Sequence, residues 1–252
     1  MAGARWLAAL QARGDQVELY MRRPALERLL RPLVARIRRT APPVDLPRVD
    51  EATLVPPMPY LHAPSGRVPA RLRVTGGRPR VAICWATDRS PVVRAPAPAW
   101  VVAAWGAAAV RAMAAGIPVR STPLAAWAPV WRVPGLTVVS VQVGQRPPAG
   151  VADFGRRVRD YADTATVLAQ VDLVVTVDTS VAHLGGALGV PTWVLLPASD
   201  DGHYWRRPAA APDRTPWYPA VRFVQQRVSG EWGDVLGSVA AALAAIGSRR
   251  VA

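Results

Sequence analysis

The stretch Val171 to Pro197, VDLVVTVDTSVAHLGGALGVPTWVLLP, constrains the fold more than any other part of the chain. Its strand-like stretch over residues 172–178 holds Leu173 to Val177, broken only by Thr176 and without strict polar alternation, which suits a strand buried on both faces of a parallel sheet. Thr179 and Ser180 then supply hydroxyls at a helix start. The pattern predicts a helix from about Ser180 to Leu188, a stop at Gly189, and a second strand over 192–196. In such a β-α-β unit the carboxyl end of the strand and the amino end of the helix share one edge. Backbone N–H groups and the positive end of the helix dipole gather there, and anions bind at such edges. His183 falls one turn in, on the side facing that edge. Gly185 and Gly186 each cost a helix roughly 1 kcal/mol, so a neighbour must pack closely enough to offset the loss. Spacing alone leaves ligand binding and plain helix capping both open. A hydrolase triad of Asp178, Ser180 and His183 is rejected, because all three crowd one turn and no G-x-S-x-G elbow surrounds the serine.

The rest of the chain repeats this alternation. ARWLAALQARGDQVELYMRRPALERLLRPLVARI predicts a helix, a stop at Gly14, the strand QVELYM, and a second helix entered through Pro24. Proline dominates from Ala41 to Leu72, which marks a linker. RVAICWA opens a new strand, and an Ala/Trp-rich helix follows between Thr87 and Pro118. LTVVSVQVG predicts a strand ending at Gly144, and Asp163 and Thr164 are candidate caps for a helix through Gln170. Trp217 and Tyr218 in PWYP suggest a clasp under a closing helix, itself capped by Ser229 and stopped by Gly247. The expected organisation is a remnant of an amino-terminal Rossmann-like domain at 1–40, a Pro-rich interdomain segment at 41–75, a Rossmann-like domain at 76–228 and a closing helix at 229–252.

Composition narrows the function classes. The chain carries +14, yet all of its 31 basic residues are arginine and they are scattered along the sequence. That distribution argues against a nucleic-acid surface and for anionic small ligands, with peripheral contact to an anionic membrane as a milder inference. One cysteine, Cys84, excludes an internal disulfide framework and reads as a small buried hydrophobe. With three histidines and that cysteine a zinc site is not expected. The AWVVAAWGAAAVRAMAAGIPV segment is interrupted by Arg111 and weakly apolar, so a helix packed on protein is expected rather than a membrane span. The expected location is the cytoplasm, at most at the inner face of the membrane.

DLVVTVDTSVAHLGGALGVPTWVLLP resembles the carboxyl-terminal signature of the family 9 glycosyltransferases, the heptosyltransferase family. It is most like the branch fused to tetratricopeptide repeats. RSTPL (Arg120 to Leu124), VVSVQVG (Val138 to Gly144), DYADTATVLAQVD (Asp160 to Asp172) and TPWYPAVRFVQQ (Thr215 to Gln226) match in order. LAALQARGDQVELYMRRPALERLLRPL and PPMPYLHA resemble that family's early helix-strand-helix and interdomain stretch.

The resemblance implies an α/β, GT-B-like fold of two Rossmann-like domains. It also implies inverting, metal-independent transfer of a sugar from a nucleotide-diphosphate donor, ADP-heptose-like or other, to a glycan, lipid-linked or protein acceptor. Lipopolysaccharide biosynthesis is the setting the family name suggests; no cofactor or nucleic acid is implied. No D-x-D metal-holding pair occurs, which agrees. The resemblance places Asp178, Thr179, Ser180 and His183 around the donor's diphosphate and sugar, with Arg120 and Ser121 approaching the phosphates. Arg120 would stabilise the leaving group. Gln142 and Gly144 would line the nucleotide, and Asp163 and Thr164 would touch the nucleoside; strand ending and helix capping explain these four about as well. The family's first strand and its Gly-Asp turn, which carries the general base in heptosyltransferases, find no match, so the first domain is expected to be truncated and the catalytic base absent. TDRS at Thr87 to Ser90 is a partial echo of the usual H-x-N-D. The alternative function is therefore a catalytically inactive nucleotide-sugar-binding module.

Overall fold

The structure is a computed structural model that describes residues 77–87, 120–198, 207–228 and 230–249, together with 18–20, 28, 31, 36–38 and 205. The Pro-rich segment, the Ala/Trp-rich segment and Ser229 lie outside the described residues.

Near the amino end, β1 (Glu18–Tyr20) and β2 (Arg36–Arg38) pair in parallel, Glu18 opposite Arg36. The helix expected from Pro24 through Ile37 therefore gives way to strand at Arg36. Ala35 to Arg38 alternates apolar and polar as a strand does, and a short run of this kind fits either period.

The remaining strands are β3 (Arg80–Cys84), β4 (Thr137–Ser140), β5 (Ala152–Asp153), β6 (Leu173–Val177), β7 (Thr192–Leu196) and β8 (Val221–Gln225). They form one sheet in the order β5-β4-β3-β6-β7-β8, every pair parallel. The helices are α1 (Ala128–Trp131, preceded by a 3-10 turn at Leu124–Trp127), α2 (Tyr161–Leu168), α3 (Ser180–Ala187) and α4 (Gly233–Arg249). None of the described helices is long and apolar enough to cross a membrane.

Strand residues alternate between two cores, as a pleated sheet covered on both faces requires. Ala82, Val139, Val174, Val194 and Leu196 join Leu168 of α2 and Leu184 of α3 on one face. Val81, Ile83, Val175, Val177 and Leu195 join Trp127, Val130 and the α4 residues Leu236, Val239 and Leu243 on the other. The result is a doubly wound, Rossmann-like α/β sheet.

Three local expectations are corrected by packing. Asp160, not Asp163 or Thr164, caps α2: its carboxylate accepts from the amides of Ala162 (2.9 Å) and Asp163 (3.0 Å). Gly247 lies inside α4 rather than ending it, and a Cβ there would stand 3.0 Å from the Pro134 carbonyl oxygen, which accounts for the glycine. Tyr218 is fully buried against α3 instead of lying beneath the closing helix. A Cβ on Gly186 would lie 2.6 Å from the Tyr218 ring, and one on Gly185 would lie 2.5 Å from Thr192 Oγ1. These close approaches account for both glycines of α3.

Candidate functional site

Chain order and sheet order together locate the crevice. From β3 the chain moves outward to β4 and β5, then crosses back to β6 on the other flank of β3. Beyond the carboxyl ends of β3 and β6 the connections leave in opposite directions, the topological switch point at which doubly wound sheets hold their ligands.

On the β3 side the chain continues as Trp85, Ala86 and Thr87, and the segment Arg120–Thr122 is tied to it. Thr122 donates its amide to the Trp85 carbonyl at 2.9 Å and its hydroxyl to the same oxygen at 3.1 Å. Trp127 Nε1 donates in turn to the Thr122 hydroxyl. Ser121 Oγ accepts the Thr87 amide at 3.0 Å. Arg120 is thereby delivered to the β6 side, where its guanidinium meets Asp178 Oδ2 at 3.2 Å. Asp178 is buried. Thr87 Oγ1 is also buried, and it has no hydrogen-bond partner among the described residues. An unmade hydroxyl bond costs about 1–3 kcal/mol, which a polar ligand in the crevice would remove. Sequence reasoning missed Thr87; its only trace there was the weak echo TDRS.

On the β6 side, Thr179 caps α3 with Oγ1 accepting from the Val181 amide at 3.1 Å, and Ser180 is the first helical residue. The first turn of α3 contains no acidic residue, so the field of the helix end is not cancelled from within that turn.

The other expected site residues are placed differently. Gln142 is buried, with Oε1 accepting from the amides of Trp85 (3.1 Å) and Ala86 (2.9 Å) and from the Cys84 thiol (3.3 Å). It closes the end of β3 from within. Cys84 is buried beside it, and burial pushes its thiol up to about 11. Gly144 is exposed in the loop after β4, with φ of +79°. Thr164 is buried with its hydroxyl on the Asp160 carbonyl at 3.2 Å. Asp163 accepts from the amide and Nε of Arg159, each at 3.0 Å, and pairs with Arg28. Burial pushes its carboxyl up, but the bonds from Arg159 and Arg28 outweigh that and hold it at about 2.

His183 is half-buried under the corner. Its ring stacks on Trp205, centroids 4.3 Å apart at 12°, and Nδ1 lies 3.3 Å from the Tyr218 hydroxyl. Burial, with the positive charge of Arg120 adding to it, pulls the imidazole down to about 3, so it is neutral at physiological pH. When Tyr218 donates to Nδ1, the proton of the imidazole sits on Nε2. Trp205, twenty-two positions downstream, is a contact that local spacing does not announce.

The geometry thus brings Arg120, Ser121, Asp178, Thr179 and Ser180 to one edge, adds Thr87 and sets His183 one turn below, while Gln142 braces the end of β3, Gly144 is exposed after β4, and Asp163 and Thr164 are engaged at the start of α2. No family model matches the sequence. Protein FlbA from Caulobacter vibrioides is 31% identical over 134 residues, or 48% of this chain. The chain spans 22% of the length of that relative. Among solved structures, a family 9 glycosyl transferase from Veillonella parvula aligns over 89% of this chain and 67% of its own, with 11% identity and a TM-score of 0.38.

Proposed function

We propose that the chain binds the diphosphate of a nucleotide-sugar donor at the β3/β6 crevice and transfers the sugar, with inversion and without a metal, to a glycan, lipid-linked or protein acceptor at the cytoplasmic side. The six-stranded sheet would be the donor-binding half of a GT-B-like pair, to which the parallel β1–β2 unit contributes the other half. One observation carries this: Arg120 and the amino end of α3, capped by a neutral hydroxyl, meet at the switch point of the sheet. A fixed guanidinium gives two parallel bonds to a phosphate and gains strength as charge grows on the leaving diphosphate. Backbone amides at Thr179 and Ser180, the Thr87 hydroxyl and Nε2–H of His183 would complete the donor set. Asp178 would turn from Arg120 to the sugar hydroxyls once phosphate takes its place.

Thermal denaturation with ADP, UDP and GDP and their sugars tests this. One nucleotide at a hundredfold excess over its Kd should raise Tm by roughly 5–10 °C. Arg120→Ala should weaken that ligand at least about tenfold, the worth of a charge-assisted pair. Silence from every nucleotide with the wild type, or equal binding by Arg120→Ala, rejects the assignment.

A further inference from the structure

At the far flank of the same sheet edge, the loop after β5 carries two guanidinium groups for which the donor site has no use. Asp153, Arg156 and Arg157 line a recess of about 400 Å³. That volume lies within the roughly 300–1,000 Å³ of small-molecule clefts. Among the described residues neither Arg156 nor Arg157 forms an ion pair, whereas Arg159, two positions on, is paired with Asp163. Arg157 rests against the Phe154 ring, its guanidinium carbon 5.7 Å from the centroid, which steadies the side chain without neutralising it.

The loop is built rigidly. Phe154 and Gly155 both donate their amides to the Ser140 carbonyl, at 2.9 and 3.2 Å. Arg157 and Val158 donate back to Phe154 at 2.9 and 3.1 Å. Asp153 Oδ1 accepts the Arg156 amide at 3.2 Å. A Cβ at Gly155 would stand 1.8 Å from the Gln142 carbonyl oxygen, so only glycine lets the loop lie flat on the end of β4. The backbone that carries the two arginines is thereby fixed, and Arg157 is further steadied by Phe154, which lowers part of the ordering cost of binding.

We infer that Asp153, Arg156 and Arg157 form a second site, one that takes the phosphomonoester of a sugar. The two guanidiniums would hold the phosphate. The Asp153 carboxylate repels a bare anion but accepts hydrogen bonds from sugar hydroxyls, so the trio selects a ligand that carries both groups. β5 stands two interstrand steps, roughly 10 Å, from β3. A sugar phosphate there lies along the same edge as the crevice, as an acceptor would. The site does not depend on the nucleotide assignment, because it shares no residue with it.

Calorimetric titration of the full chain with glucose 6-phosphate, glucose and inorganic phosphate, and separately with ADP and UDP, tests the inference. Glucose 6-phosphate should bind the wild type, and more tightly than inorganic phosphate or glucose. The double variant R156A/R157A should lose at least about tenfold for glucose 6-phosphate, with any response to ADP or UDP unchanged. Asp153→Asn should lose preference for the sugar phosphate over inorganic phosphate. All three side chains are at least partly exposed, and circular dichroism should show each variant folded. The inference is overturned if glucose 6-phosphate does not bind the wild type, if it binds R156A/R157A equally, or if inorganic phosphate binds as well as the sugar phosphate.

Discussion

The amino ends of α2 and α3 occupy equivalent positions after parallel strands, yet they are finished in opposite ways. At α2 the helix end is filled by the protein's own anions: Asp160 caps two amides, Asp163 stands in the first turn, and Arg159 and Arg28 neutralise both. At α3 the cap is the neutral Thr179, the first turn has no acid, and Asp178 just before it is drawn to Arg120. The same backbone dipole is met by the protein's own carboxylates in one case and by a neutral hydroxyl in the other. A helix terminus alone is therefore a poor guide to function; what already occupies it decides.

Acid should separate the two ends most strongly. An unfolded imidazole takes its proton near pH 6.5, while His183 in the folded chain resists down to about 3. Protons therefore favour the unfolded chain, and stability present above pH 6.5 should fall progressively as pH drops towards 3, with a slope approaching one proton. Asp163 acts lower: its folded carboxyl is held at about 2 against 3.8 unfolded, so its contribution is lost only below about pH 4. Urea midpoints across pH should show His183→Gln flattening the upper limb and Asp163→Asn the lower one. An unchanged slope above pH 4 in His183→Gln would contradict the neutral imidazole.

Packing gives the next effect. Gly186→Ala gains about 1 kcal/mol of helix propensity but drives a methyl 2.6 Å from the buried Tyr218 ring. Overpacking of that kind costs about 2–3 kcal/mol, so net destabilisation of about 1–2 kcal/mol is expected. Ala169→Ser, at the exposed end of α2, should stay within about 0.5 kcal/mol. Equal urea midpoints for the two variants would mean that α3 is not held as tightly as its glycines indicate.

The smallest change in stability should come from exchanging the caps. Thr179→Asp imports the arrangement of α2 and should leave stability within about 0.5 kcal/mol, since both residues cap well. It should nevertheless cut nucleotide affinity at least about tenfold, by placing a carboxylate where phosphate belongs. Asp160→Ala should cost about 1 kcal/mol and leave nucleotide binding alone. Nucleotide binding that survives Thr179→Asp would erase the distinction between the two ends.

How much of this was written in the residues themselves differs by region. β6, α3 and β7 match expectation to within about a residue, because their apolar run, hydroxyl cap and Gly189 stop are local signals; Gly189 indeed has φ of +70°. DYADTA offers two acids three positions apart, and only the approach of Arg159 and Arg28 decides that Asp160 caps while Asp163 pairs. Gly247 resembles a helix stop in one dimension and is a contact with Pro134 in three. The partners of His183 come from the β7–β8 connection, so no spacing rule could have named Trp205. At the candidate site, the resemblance named Arg120, Asp178 and Thr179, and the structure brings Arg120 onto Asp178; Thr87 was not named, because a lone threonine after a strand has no pattern.

β3 is the first strand of the large sheet and one of its two central strands, and that order bears on how the molecule is made. Val81 must wait for Leu173, and Arg80 closes on Asp172 across 92 positions. During synthesis the middle of the sheet therefore stands with one flank open until β6 has left the ribosome, a long-range closure that favours slow folding and early contact with chaperones.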